Sequence, residues 1–222
     1  MNPAKHPDFP AVLLVDDSPL FPIHWLNDAI FCEYKLYLVN RRDSDVPRTL
    51  VMDEGKSEHA DLYVHFAQTA VAGSLAEMLE TSRSEVIHSR EFPVVSRNYG
   101  IYGRIDDLVC GPDSYIIIDD KRNPSLFESD KRQVQGYCLA IKDILGMQDP
   151  RPIFAALRRT GTSDLTWKEK FGEQAERTVN NTIQRVHSLI SGEAQFKPAR
   201  NPAKCVKCRC KSVCTKVALK KK

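Results

Sequence analysis

The chain has 222 residues, 42% of them hydrophobic and 27% charged, enough to bury one sizeable core or one core with a small appendage. No stretch reaches the ~20 apolar residues of a membrane helix, and "AVLLVDD" (11–17) is too short and too acidic at its end for a secretory signal, so a soluble, intracellular protein of the cytoplasm is expected. The net charge of +3 hides an asymmetry: ten of the 32 Lys and Arg fall in residues 197–222, which hold no Asp or Glu, leaving 22 basic against 29 acidic side chains upstream.

In chain order, apolar residues at three- and four-residue spacing predict helices over 23–39 and 58–79. Strands are expected over 84–96, 99–111 and 114–119, with "GPD" (111–113) as the turn before the third. A helix follows over 129–145, with Ser129 as its N-cap and Asp130 in its first turn, then a strand over 151–159. An amphipathic helix over 171–192 closes at Gly192. Repeats and low-complexity segments are absent. The pattern is mixed α/β: helices, an antiparallel run of strands, then a helix crossing to a further strand. Its parts are a helical N-terminal region (1–54), a core (55–195) and a C-terminal cysteine segment with a basic tail (196–222), together one compact domain.

The strand over 114–119 ends in "DDK". Side chains alternate along a strand, so Asp119 and Lys121 project from one face and Asp120 from the other. The preceding strand carries "GRIDD" and brings Asp106 alongside Asp119. Two converging carboxylates repel unless a hard cation such as Mg2+ or Mn2+ joins them, and that cation polarises a phosphate and activates a water. Lys121 then orients the water or meets the charge of the transition state. The bland alternative is a structural salt bridge.

Seven cysteines without an export signal argue against a disulfide framework. Four crowd into "CVKCRCKSVC", where Cys205-x2-Cys208-x5-Cys214 sets three thiolates towards one metal centre and leaves Cys210 as the odd one. The fourth ligand is either Cys210 or a remote cysteine, Cys32; iron–sulfur and zinc are both open. Cys110 and Cys138 sit in apolar settings as buried thiols. The basic run suits a phosphate backbone, or is a solvated tail whose lysines balance the thiolates. Lys204, Lys207, Arg209 and Lys211, with Arg97 and Arg104, are candidates to line a nucleic-acid path, and Tyr34, Tyr99 and Tyr102 are either core residues or stacking platforms.

Taken in order, Asp106, Asp119-x-Lys121 and Gln133-x3-Tyr137 resemble the (D/E)-x-K nuclease core, and Q-x3-Y marks its RecB-like branch; the pair shares one helix face. With Cys32 upstream and Cys205, Cys208 and Cys214 downstream, the chain resembles the RecB-like iron–sulfur nucleases of the CRISPR adaptation machinery, and more loosely the AddB-type helicase–nucleases. The resemblance runs from about Cys32 to Cys214. It implies a restriction-endonuclease-like mixed sheet flanked by helices, with a [4Fe–4S] cluster on the four cysteines joining the N-terminal helices to the C-terminal segment. It also implies Mg2+- or Mn2+-dependent trimming of DNA, single-stranded or with overhangs, before spacer integration, with the integrase complex as partner. The family's G-x3-H, here "GKSEH", adds His59 as a metal ligand. The chain departs from the common pattern in having Asp119 where many relatives have Glu, and in the extra Cys210. A non-catalytic module that recognises DNA ends is the competing reading, and an electron-transfer protein would leave the carboxylates, lysine and Q-x3-Y unexplained.

Overall fold

The computed structural model describes residues 3–46, 77–122, 126–146, 149–206 and 208–216. The elements are β1 (Ala4–Lys5), β2 (Leu13–Val15), β3 (Ser18–Pro22), α1 (Trp25–Asn40), β4 (Ile87–Ser96), β5 (Ile101–Cys110), β6 (Tyr115–Lys121), α2 (Glu128–Leu145), β7 (Ile153–Arg159), β8 (Leu165–Lys170), α3 (Glu173–Ile190) and α4 (Pro202–Val206). The strands form one mixed sheet with helices packed on it, as expected. Among the described residues, no helix is long and apolar enough to cross a membrane.

β6 is central. It runs antiparallel to β5 and parallel to β7, and "YIII" at its start is the apolar run of a strand covered on both faces. The antiparallel turn at 111–114 is closed by the Gly111 amide donating to Ser114 at 2.9 Å. Ile105, Leu108, Tyr115 and Ile117 from these strands share one core with Val134, Cys138 and Ile141 of α2 and Val179, Ile183 and Val186 of α3. The apolar positions of α3 recur at helical spacing, and Gly192 beyond its end has φ +78°, the left-handed value that helix termination favours.

Several expectations need correction. The N-terminal region is not wholly helical: β1, β2 and β3 precede α1, and β3 pairs parallel with β5 through Phe21↔Ile101 and Pro22↔Tyr102. Helix α2 starts one residue early, with Phe127 rather than Ser129 at the N-cap and no side chain capping it. β8 was not expected; it is an exposed edge strand whose Lys168, Glu169 and Lys170 break the apolar pattern, a composition that blunts sheet edges. Of the helix expected over 58–79, residues 77–79 are described and helical. The rest, with His59, lies outside the described residues.

Helix α1 is kinked. Cys32 has φ −172° and ψ 113°, fully extended, so the i→i−4 ladder is interrupted there. The C-terminal segment takes over the broken bonds. The Tyr34 amide donates to the Lys197 carbonyl at 3.0 Å, and the Lys204 ammonium caps the Ile30 and Phe31 carbonyls at 3.1 and 2.9 Å. Glu33 accepts from the Lys197 amide and, through both oxygens, from Arg185, each at 2.9 Å.

Candidate active site

The site lies where the sheet forks. β4 pairs with residues 101–105 and 107–110 of β5 on one edge, the register passing over Asp106. On the other edge β3 takes residues 101–102 and β6 takes residues 107–110, so residues 103–106 have no ladder partner there among the described strands. Continuing the Asp107↔Ile118 register by one step sets Asp106 opposite Asp119. In place of a ladder bond, the Asp106 carboxylate accepts the Asp120 amide at 2.6 Å. Gly103 fills the rest of the gap: a Cβ there would lie 2.9 Å from the Tyr137 ring, so its bareness admits that ring.

Asp119 is 3% exposed. One of its oxygens accepts from the Gln133 amide at 3.1 Å, and the other meets the Lys121 ammonium at 2.7 Å. Lys121 also donates to Gln133 Oε1 at 3.1 Å and lies 3.9 Å from Asp130, whose carboxylate takes the Asn27 side-chain amide at 2.6 Å. Tyr137 is buried one turn further along α2, beside Gln133. The structure thus brings Asp106, Asp119, Lys121, Gln133 and Tyr137 together. Sequence reasoning missed Asn27 and the pairing role of Asp130, for which the only signal was an acid in the first turn of α2.

Burial sets the protonation. It pushes the Asp119 carboxyl up to about 7, the nearby Lys121 charge pulling it down and the Asp106 charge adding to the rise. Asp106 is raised for the same first reason, held back by the Asp120 amide. Burial works against the Lys121 ammonium, but the Asp119 charge and hydrogen bond outweigh it and leave the group above its ordinary range. Burial drives the Tyr137 phenol far up, so it stays neutral.

The donor set suits a hard divalent ion: two carboxylates at one place, and a buried Asp119 oxygen that accepts no well-formed hydrogen bond and has only the Lys121 ion pair. Among the described residues, however, no three His, Cys, Asp or Glu side chains are gathered closely enough to grip one ion. Asp120 faces away, as alternation requires. Its carboxylate is clamped by Arg158 at 2.7 and 3.0 Å, which places its pKa below the usual range.

An open groove of about 1030 Å3 runs from Lys121 and Gln133 along the α1 face of Asn27, Phe31 and Lys35 to Cys208 and Arg209. Beside it, Cys32, Cys205, Cys208, Cys210 and Cys214 line a single small pocket. The Cys32 sulfur accepts the Ala199 amide at 3.2 Å. Cys210 is buried, packs with Val39 and Val46, and burial pushes its thiol up to about 11. Cys110 and Cys138 are fully buried. Of the possible stacking residues, Tyr102 belongs to the core and donates to the Ala11 carbonyl at 2.6 Å, and Tyr34 stacks on Tyr37 beneath Lys216. Arg97 faces Asp16 at 3.7 Å and Arg104 faces Glu91 at 3.2 Å; Lys207 lies outside the described residues.

Compared with known proteins, residues 38–215 match the profile of the PD-(D/E)XK nuclease superfamily. A solved structure titled "Crystal structure of SSO0001" is 14% identical over 90% of this chain and 87% of that one, with a TM-score of 0.44, a likeness too loose to argue from. No curated protein matches the chain. The family profile spans most of the sequence, including Asp106, Asp119, Lys121, Gln133 and Tyr137, and the chain belongs to the PD-(D/E)XK nuclease superfamily.

Proposed function

We propose that the protein is a metal-dependent deoxyribonuclease that hydrolyses phosphodiester bonds at the fork between β3 and β6, acting on single-stranded DNA or overhangs. The observation that carries this reading is the Asp119–Lys121–Gln133 triangle beside Asp106, with contacts of 2.7 to 3.1 Å, at the head of an open groove lined by Lys121 and Gln133. In it, Asp106 and Asp119 are the metal ligands on the described chain, joined by His59. A bound Mg2+ or Mn2+ would polarise the scissile phosphate and acidify a water.

The protein's own groups do the rest. Lys121, held charged by Asp119, places a fixed positive charge beside the developing phosphorane and orients the attacking water. Gln133 locks the Asp119 and Lys121 rotamers by giving a hydrogen to one and taking one from the other. Tyr137 stays neutral and packs against Gly103, which closes the inner end of the site to bulk water. Arg209 lines the groove, and Lys35 does so as the partner of Asp28 at 2.5 Å; both are placed to meet a phosphate backbone.

The cysteines form the second part of the reading. A [4Fe–4S] cluster is assigned to Cys32, Cys205, Cys208 and Cys214 on the motif order, supported by the single pocket that all four line, although their side chains are not gathered into a ligand set as they stand. It would tie α1 to the C-terminal segment. The motif order Cys32, nuclease core, C-x2-C-x5-C supports a role in trimming DNA for CRISPR spacer acquisition beside the integrase.

The test is cleavage of labelled single-stranded and overhang oligonucleotides by cluster-intact protein in Mn2+, against EDTA. Metal-dependent shortening supports the reading. Binding without any cleavage would instead make the chain an end-recognising module of a larger assembly.

A further inference from the structure

The sequence holds two Asp-Asp pairs, Asp106-Asp107 on β5 and Asp119-Asp120 on β6. The first member of each stands at the site just described. The second members, Asp107 and Asp120, meet on the opposite side at one side chain, the guanidinium of Arg158 on β7. Arg158 Nη1 donates to Asp107 at 2.8 Å, and Nε and Nη2 donate to the two oxygens of Asp120 at 2.7 and 3.0 Å. Arg158 is also the register partner of Asp120 across the β6–β7 ladder, so the fork of its planar donors spans three adjacent strands.

The clamp has a direct route to the site. Asp120, which it fixes, presents the backbone amide that holds the Asp106 carboxylate at 2.6 Å. Asp107, 3% exposed, is the chain neighbour of Asp106 at the last ladder pair before the fork. Beyond that pair no β3 or β6 ladder bond fixes Asp106 among the described residues. Any splaying of β5 from β6 beyond that pair would part Asp106 from Asp119. Arg90 at 3.3 Å from Asp120 and His88 at 3.6 Å from Asp107 lie on the solvent side and make single, exposed contacts.

We propose that Arg158 is a positioning residue for metal binding: by holding Asp107 and Asp120 from behind the sheet, it sets the separation of Asp106 and Asp119 and so the affinity for a divalent ion. This inference rests on the reading of Asp106 and Asp119 as metal ligands. Outer partners that orient metal-binding carboxylates are worth roughly 10- to 100-fold in metal affinity.

The experiment compares Mn2+ binding by calorimetry to EDTA-stripped, full-length protein carrying Arg158→Lys, Asp120→Asn or Asp119→Asn, with thermal denaturation of each. Arg158→Lys keeps the charge but loses the planar fork, and Asp120→Asn keeps the shape but loses the charge. The expected result is Mn2+ affinity weaker by about tenfold or more in both, with DNA KM unchanged and kcat recovering as Mn2+ is raised. A variant that melts earlier yet binds Mn2+ like the parent would make the clamp a support of the fold alone and overturn the proposal. Asp119→Asn separates the two levels: if it binds Mn2+ like the parent, the site reading itself fails; if it loses Mn2+ while the clamp variants keep it, only the clamp fails.

Discussion

The amide of Ala199 donates to the sulfur of Cys32 at 3.2 Å, joining positions 167 residues apart at the point where α1 breaks. The C-terminal segment meets the groups the kink releases, offering the Lys197 carbonyl and the Lys204 ammonium. The extended Cys32 thereby faces the cavity lined by Cys205, Cys208 and Cys214.

Replacing Cys32 or Cys208 by Ser is expected to yield colourless or insoluble protein, because a shared metal centre closing so long a loop is part of the folding energy. Iron and acid-labile sulfide analysis of anaerobically purified parent and variants is the measurement. A brown, fully loaded Cys32→Ser protein would remove that residue from the ligand set, and zinc in place of iron would replace the cluster with a tetrahedral thiolate site.

Lys121→Ala is expected to lower kcat by roughly 100- to 1,000-fold, the size found when one preorganised donor to a transition state is removed. Circular dichroism, cluster content and DNA affinity should stay near the parent. Cleavage at the parent rate would take Lys121 out of the chemistry.

Metal-free Asp119 holds its proton up to about pH 7, above the ordinary value for an unfolded chain. The folded state therefore binds the extra proton between about pH 4 and pH 7, so this residue's contribution to stability falls as pH rises through that window. Mn2+ competes for the same oxygen. Mn2+ affinity should climb with pH to about 7 and then level, with proton release on binding, and Mn2+ should restore the stability lost at neutral pH. Calorimetry in buffers of different ionisation enthalpy counts that proton, and Asp119→Asn should abolish the trend.

Gly136 lets α1 rest on α2: a Cβ there would lie 2.5 Å from Leu26 and 3.0 Å from Ile23. Gly136→Ala is expected to destabilise the fold by about 1–3 kcal/mol through overpacking, and to weaken DNA cleavage by pushing Asn27 from Asp130. Chemical denaturation reads the first effect; an unchanged midpoint would mean that the helices part at no cost.

Much of this was legible in the residues. The strands with alternating or continuous apolar runs and the helices with clean periodicity, α2 and α3, lie within a few residues of where spacing sets them. Asp106, Asp119, Lys121, Gln133 and Tyr137 meet because two period-two strands and one four-residue helical step leave them little choice. What spacing could not convey depends on tertiary partners. The kink at Cys32 is made by a segment far along the chain, β8 is held by its neighbour against a polar pattern, and β1–β3 are too short to carry a period. Arg158 looked like one more charge at a strand end until two other strands gave it carboxylates.

The groove holding Lys121 and Gln133 is walled at its far end by Cys208 and Arg209. The thiol-bearing loop is thus part of the wall of the groove proposed to take the substrate. Oxidation at Cys208 would then act on the proposed substrate path as well as on the loop that carries the thiol.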